Sequence, residues 1–380
     1  MDTNIPQAPG PGWVKIAAEI IAKTSRDRPA DAALRATLKT TKKLTRMDSR
    51  EISRRVFAYY RWLQWIDSQA PVEKKIARAM ELARKFQENP TALPIASLQQ
   101  AVPAWACEQL QATPEWLRTL QSEPKLWLRA KKSTASNMTN AIFGLEPGPL
   151  PNSFLHLGEA DLFRSPEFHE GQFELQDICS QAIGWICYPQ PGETWWDACT
   201  GEGGKTLHFS DLMQNKGLIW STDKADWRLR QLKLRASRAG CFNYRSRVWE
   251  GRGTLPTKTR FDGVLLDAPC SGLGTWQRNP HARWTTSAHD VQELAALQLD
   301  LLSQTVPALK PGGRLIYAVC TLTNAETTGV VDAFNAAHPE MEPLPFANPL
   351  TREQVGNGRL FLWPQNTGGN GMFVAVWHKR

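Results

Sequence analysis

The chain has 380 residues, more than one small core needs, and its 42% hydrophobic and 22% charged residues are ordinary for a folded, water-facing protein. No apolar run reaches the roughly 18 residues of a membrane span, and the start of the chain lacks the basic and apolar stretches of a secretion signal. Seven cysteines, an odd number without paired Cys-x-x-Cys spacing, speak against a disulfide scaffold and against a zinc site, so reduced thiols in the cytoplasm and no metal are expected.

The net charge of +8 is uneven: residues 1–135 hold 23 Lys and Arg against 13 Asp and Glu, which leaves 22 against 24 for the rest. A basic module beside a near-neutral one suits a polyanion-binding domain attached to an enzyme, and it equally suits a solvated helical surface. Residues 12–110 read as helical, with apolar positions such as Val56, Tyr59, Tyr60 and Leu63 at three- and four-residue steps. Asp48 is the predicted N-cap of that helix, with Glu51 completing a capping box. Arg50, Arg54, Arg55 and Arg61 decorate it, and Lys39, Lys42, Lys43 and Arg46 precede it. Asn89–Pro94 and Pro103 interrupt the helical pattern.

Residues 114–175 change character: Leu126–Arg129 is a predicted short strand, Lys131 and Lys132 follow it, and a Pro- and Gly-rich loop spans 146–152. The reading is a helical domain over 1–113, a small α/β linker domain over 114–175, and a catalytic domain over 176–380. In the last, predicted strands at Thr194–Asp197, Leu218–Thr222, Phe242–Trp249, Phe261–Leu266, Arg314–Val319 and Met372–Val376 alternate with helices starting near Lys205, Asp226, Ser287 and Asn324. Such alternation predicts a doubly wound α/β sheet. The final strand is expected to run antiparallel, since another short apolar strand around Leu360–Trp363 precedes it.

The chemistry-bearing residues gather at the predicted carboxyl ends of these strands, where ligands bind in open α/β sheets. The first strand runs into Asp197-Ala-Cys-Thr-Gly201-Glu-Gly203-Gly204-Lys205-Thr206, a turn that brings backbone close to an anionic ligand or is simply tight. It is not a Walker A loop. The second strand ends at Asp223, placed either to bond ribose hydroxyls or to cap the next helix. Glu250 ends the third. The fourth leads into Asp267-Ala-Pro-Cys270-Ser-Gly272-Leu-Gly274, and the fifth into Cys320-Thr321-Leu322. One cysteine in such a place is most often a small buried hydrophobe. Two, joined by Asp267 and Lys205, point to catalysis.

Together these segments resemble the RNA 5-methylcytosine methyltransferases of the Sun/Fmu, or RsmB, type. DACTGEGGKT at 197–206 is similar to that family's first cofactor motif, DACAAPGGKT, and DAPCSGLGT at 267–275 matches its fourth motif almost letter for letter. RNPHARW at 278–284, ELAALQLDLL at 293–302, LKPGGRLIYAVCTLT at 309–323 and GMFVAVWHK at 371–379 follow the family in order, as does FELQDICSQ at 173–181. RPADAALRATLK at 28–39 and REISRRVFAYYRWL at 50–63 resemble, more loosely, its NusB-like RNA-binding domain. The chain departs from the family at Thr200-Gly201-Glu202, where Ala-Ala-Pro is usual. It departs also at Val319-Cys320-Thr321, at Thr323-Asn324-Ala325-Glu326, and at Glu250 where Asp is usual.

The resemblance implies a Rossmann-like class I S-adenosylmethionine-dependent methyltransferase domain preceded by a helical NusB-like domain and a linker domain. It implies a cofactor pocket of Ala198, Cys199, Thr200, Gly201, Glu202, Gly203, Gly204, Lys205, Asp223, Glu250 and Asp267. Cys320 is implied as the nucleophile on cytosine carbon 6, Cys270 as the thiol that removes the carbon 5 proton and frees the product, and Asp267 as a partner of the extruded base's polar edge. Lys205 pairs with Asp267 or with the cofactor carboxylate on this reading. The expected partner is RNA, ribosomal RNA ahead of transfer RNA, held by phosphate contacts from the basic helices; no membrane and no obligate protein partner is expected. Arg278, Arg283 and Trp284 are read either as contacts near the target or as plain structure. The competing readings are a non-catalytic RNA-binding or ribosome-assembly protein, and methylation of an amino nitrogen, which favours a Pro-Pro-Tyr-like motif where this chain has Pro269-Cys270. DNA as substrate is a further reading, but the DNA cytosine enzymes are far less similar and place their nucleophile in the fourth motif.

Overall fold

The computed structural model describes residues 12–41, 44–253 and 257–380; Lys42 and Lys43 lie outside the described residues. The chain divides into two compact units, one of residues up to Glu123 with Thr275–Ala288, the other of Pro124–Gly274 with His289–Arg380.

The first unit is helical. Helices Trp13–Ala22, Arg46–Arg61 and Val72–Glu88 turn apolar stripes inward, burying Ile20, Ile52, Val56 and Ile76 completely. The cap of the second helix is Thr45, not Asp48. Thr45 Oγ1 accepts the Asp48 N–H at 3.1 Å, and the Asp48 carboxylate reaches back to the Thr45 N–H at 2.7 Å. The capping box is therefore Thr45-x-x-Asp48, one turn earlier than the sequence suggested, because a threonine with an acid three residues on makes both reciprocal bonds. Glu51 is freed from that role and bonds Arg54 and Arg55 at 3.2 and 2.5 Å. The prolines act as breakers: Pro90 opens a single 3-10 turn after the helix ends at Glu88, and Pro103 caps Ala104–Gln109.

The second unit holds two sheets. The smaller is antiparallel, from β1 (Leu126–Ala130), β2 (Leu145–Pro147), β3 (Ser153–His156) and β4 (Phe173–Leu175), in the order β2-β3-β1-β4. The larger is built on β5 (Thr194–Asp197), β6 (Leu218–Asp223), β7 (Tyr244–Val248), β8 (Phe261–Asp267) and β9 (Leu309–Val319), all parallel. After them come β10 (Met341–Pro343), the small β11–β12 ladder (Phe346–Ala347 with Gln354–Val355), β13 (Arg359–Leu362) and β14 (Met372–Lys379). The order of the large sheet is β10-β14-β9-β8-β5-β6-β7, with β14 antiparallel to β9 and β13 paired on β14. The adjacent residues Trp195 and Trp196 of β5 are both fully buried and enter different cores. Both faces of the sheet are thus covered, as a doubly wound fold requires. The chain leaves β5 toward β6 and later returns on its other side as β8. The crevice outside the carboxyl ends of β5 and β8 is therefore the switch point of the sheet.

Strand ends differ from the sequence reading where pairing decides. β9 begins at Leu309 rather than Arg314 because Leu309 pairs with Phe261 across a register shift. β7 loses Phe242, which is 80% exposed, and is an edge strand whose Arg245 and Arg247 face water, a device that discourages edge-to-edge pairing. The helix expected near Asn324 opens as a π-turn over Ala325–Gly329 before continuing as Val330–Ala337.

Candidate active site

A cavity of about 470 Å³ opens at the carboxyl edge of β5, β6, β8 and β9. Of the residues expected around a cofactor, Cys199, Thr200, Gly201, Asp223, Glu250 and Asp267 line it, together with Cys270 and Cys320. Ala198, Glu202, Gly203, Gly204 and Lys205 do not. Ala198 is buried beneath, its carbonyl accepting Thr222 Oγ1 at 2.8 Å, and the Glu202 side chain is exposed. Gly203 begins the helix Gly204–Leu212 at φ +87°, and a Cβ there would meet Leu232 Cδ1 at 2.2 Å, so glycine is demanded both by conformation and by space. These residues shape the turn; Gly201, with open space above it, presents the backbone.

Under the turn lies a hydroxyl network. Thr206 Oγ1 donates to Asp197 Oδ2 at 2.7 Å and lies 2.8 Å from both Thr200 Oγ1 and Ser221 Oγ. Burial pushes the Asp197 carboxyl up to about 6 in spite of these bonds. Asp223, at the end of β6, accepts the Gly201 N–H at 3.0 Å and the Ala225 N–H at 2.8 Å, so it fixes the turn as well as facing the cavity.

Lys205 sits in the first turn of its helix, 7% exposed, with Nζ 2.6 Å from Asp267 Oδ2. Burial alone would lower its pKa, but the Asp267 charge and hydrogen bond more than offset this, and the net shift is upward. The amine is therefore a fixed cation. The two cysteines meet beside Asp267: β8 and β9 are direct neighbours, and Cys270 Sγ lies 3.2 Å from Cys320 Sγ, both as free thiols. The Cys320 sulfur and then burial push the Cys270 thiol well up, so Cys270 holds its proton. A glycine seats Cys320. The Gly274 N–H donates to the Cys320 carbonyl at 3.0 Å, and a Cβ on Gly274 would lie 1.9 Å from the Gly371 carbonyl.

Several lining residues escaped the sequence reading: Lys224, Arg228, Trp249, Arg252, Leu297 and Leu301. Leu297 and Leu301 carried a signal, an i, i+4 apolar pair on the helix Ala288–Thr305. Arg283 and Trp284, read as possible target contacts, are structural parts of the helical unit. Arg283 is fully buried and donates to the carbonyls of Trp276, Ala101 and Leu120, and Trp284 Nε1 donates to the Tyr60 carbonyl at 2.8 Å. Arg278 remains exposed. Among the described residues no group of three His, Cys, Asp or Glu side chains could hold a metal ion, and no helix is long and apolar enough to cross a membrane.

The strand order, the antiparallel β14 beside β9 and the crevice at the switch point define a Rossmann-like class I methyltransferase fold. The solved structure of PH0851 has this fold with a TM-score of 0.80 at 22% identity, over 98% of this chain and 99% of that one. A methyltransferase homologue from Pyrococcus horikoshii aligns with a TM-score of 0.59 at 26% identity, over 70% and 90% of the two chains. The model of the 16S rRNA methyltransferase RsmB/F family matches residues 185–378, and the chain belongs to that family. "Probable ribosomal RNA small subunit methyltransferase B" of Synechocystis sp. is 36% identical over 246 residues, 62% of this chain and 53% of that protein. Ribosomal RNA small subunit methyltransferase B of Pasteurella multocida is 30% identical over 298 residues, 73% and 65% of the two. The chain thus spans about half the length of the Synechocystis relative and about two thirds of the Pasteurella one.

Proposed function

We propose that the chain is an RNA (cytosine-5)-methyltransferase of the cytoplasm, acting on small-subunit ribosomal RNA with S-adenosylmethionine as methyl donor. The observation that carries this reading is the pair of free thiols 3.2 Å apart beside the Lys205–Asp267 ion pair at the switch-point crevice. The names of the relatives support the ribosomal substrate. A solved relative, NSun6 from Pyrococcus horikoshii with SFG (TM-score 0.52, 26% identity, over 58% of this chain and 56% of that one), supports a site for a nucleoside ligand.

The residues present fit the cofactor. Gly201 offers open backbone, Asp223 a carboxylate at the end of β6, and Trp249, Leu297 and Leu301 an apolar wall of the same cavity. When bound there, S-adenosylmethionine supplies an electrophilic methyl group. Carbon 5 of cytosine is too poor a nucleophile to take that group unaided. Cys320, as thiolate, adds to carbon 6, and the ring electrons move to carbon 5 as an enamine. Asp267, held by Lys205, accepts from the polar edge of the base and stabilises protonation of the ring nitrogen as the bond to sulfur forms. Once carbon 5 is methylated, its proton must leave. Cys270 is suited to that step once it has released its own proton to solvent through the open cavity, a release made easier because the main cause of its raised pKa, the neighbouring Cys320 sulfur, is now tied up in a C–S bond. Removal of the proton expels Cys320 as thiolate and restores the aromatic ring. The base must be extruded or single-stranded to enter, and Lys39, Arg46 and Arg50 put positive charge on the exposed surface of the helical unit, where phosphates bind.

The test is incubation with labelled S-adenosylmethionine and unmodified ribosomal and transfer RNA, beside Cys320→Ala and Cys270→Ala, with nucleoside analysis. The expected result is 5-methylcytosine from the wild type, none from Cys320→Ala, and a protein–RNA adduct that accumulates with Cys270→Ala. Activity retained in Cys320→Ala would remove the mechanism, and absence of both product and cofactor binding would favour a non-catalytic role.

A further inference from the structure

Behind the two cysteines lies a carboxylate that the reaction as described does not use. Glu326 is fully buried in the π-turn Ala325–Gly329, a distortion that often marks functional positions. Its Oε1 accepts the Ser271 N–H at 2.8 Å and Gln298 Nε2 at 3.1 Å. Its Oε2 accepts from Ser271 Oγ at 2.5 Å, from Thr323 Oγ1 at 2.8 Å, and lies 3.1 Å from Thr321 Oγ1. Five neutral donors converge on two oxygens, the complement of an acceptor-only group. Ser271 follows Cys270 in the chain, and Thr321 follows Cys320. The same side chain is thus bonded one residue away from each sulfur. Gln298 reinforces the arrangement by also donating to the Pro269 carbonyl at 2.8 Å.

We propose that Glu326 is a positioning residue for the two-cysteine chemistry: its carboxylate clamps the Cys270 loop to the Cys320 loop and thereby sets the separation of the two sulfurs. This rests on the methyltransferase reading above. Without the clamp, the loops keep the Ser271 Oγ–Thr321 Oγ1 contact at 2.9 Å, the Gly274–Cys320 backbone bond and the contact of the two sulfurs. Glutamine at 326 replaces one acceptor oxygen with an amide that points donors at donors, so at least one loop must shift. Aspartate keeps the charge but falls short by one methylene. Glu326 also adds, after Cys320 and burial, to the negative field that keeps the Cys270 proton in place.

The experiment compares wild type, Glu326→Gln, Glu326→Asp and Thr323→Val, each as the 380-residue chain. Three quantities are read: the Kd for S-adenosylmethionine, the single-turnover rate of methyl transfer to RNA, and the pH profile of iodoacetamide alkylation at Cys270 and Cys320, followed by peptide mass spectrometry without RNA. With Glu326→Gln the cofactor Kd is expected to stay within about twofold while transfer slows about 100-fold, the scale of a misplaced reacting group. The Cys270 alkylation midpoint moves to lower pH. Glu326→Asp restores that midpoint but not the rate, which separates charge from reach. If Glu326→Gln does not fold, Thr323→Val decides, with a rate reduced about fivefold for one lost hydrogen bond and an unchanged cofactor Kd. Wild-type rates and midpoints in the folded variants would overturn the clamp. If the wild type transfers no methyl group to RNA, the functional reading fails, while the alkylation profiles still decide whether Glu326 sets the cysteine pair.

Discussion

Lys205 and Arg283 are both buried cations, one in each unit, and they are used in opposite ways. Lys205 meets a carboxylate, Asp267, whose other face lines the cavity, and its pKa is raised. Arg283 meets only the backbone carbonyls of Trp276, Ala101 and Leu120, and burial drives its pKa well down. Arg61 in the same unit is similar, held by the Gln277 carbonyl and lowered by burial to about 10. A buried charge paired with an opposite charge at a cavity wall can serve chemistry. A buried charge distributed over carbonyls ties chain segments together, here the segment Thr275–Ala288 into the helical unit. Burial of a basic residue therefore says little about its role until its partners are known.

The contrast can be broken from the catalytic side first. Removing the nucleophile with Cys320→Ala should lower methyl transfer by at least about 10³-fold, with the melting temperature little changed because the side chain is only partly buried. Next comes Asp267→Asn, expected to cost about 10²-fold in rate through loss of the carboxylate at the base, and to leave Lys205 buried without its counter-charge. That should destabilise the fold by about 3 kcal/mol, measured by urea denaturation. Arg283→Met sharpens the comparison from the other side. Three buried carbonyls lose their donor, so stability should fall by about 2–4 kcal/mol, while the turnover of the protein that remains folded at low temperature stays close to wild type. A large loss of kcat in Arg283→Met at full folding would place this arginine in the chemistry after all.

How much of this was legible in the sequence follows from the range of each signal. The strands β5, β6 and β8 could be read because buried strands are short apolar runs ended by turn residues, and their carboxyl ends carried Asp197, Asp223 and Asp267. The pairing of Cys270 with Cys320 was legible once β8 and β9 were seen as neighbours, since parallel neighbours place their following loops together. The capping box was misplaced by one turn because both Thr45 and Asp48 are good caps, and only the backbone bonds choose between them. The role of Arg283 was illegible because its partners are carbonyls from Ala101 and Leu120, more than 160 residues away, and every residue type supplies a carbonyl. Glu326 was noted only as a departure from a family pattern; its five donors come from three separate segments.

A buried charge that belongs to neither class is Asp197, which has hydroxyl partners and no cation within bonding distance in the network described. Its folded-state pKa is raised from 3.8 to about 6 by burial. Between those values the folded chain binds a proton that the unfolded chain does not, so Asp197 makes stability rise as pH falls from about 6 to about 4, with no contribution to the slope outside that window. The full span is about 3 kcal/mol for a shift of this size. His208 works against it, because burial lowers its pKa well below 6.5 and its desolvated ring resists the proton that the unfolded chain takes up in acid. The raw pH profile therefore sums opposing contributions, and the informative quantity is the difference between wild type and Asp197→Asn, in which the His208 contribution cancels. That difference in unfolding free energy should shift in favour of the wild type as pH is lowered from 6 to 4 and be constant from 7 to 8. A difference that does not change between pH 4 and 6 would mean that Asp197 is charged throughout, and that the hydroxyls of Thr200 and Thr206 stabilise a buried anion as fully as Asp267 stabilises Lys205.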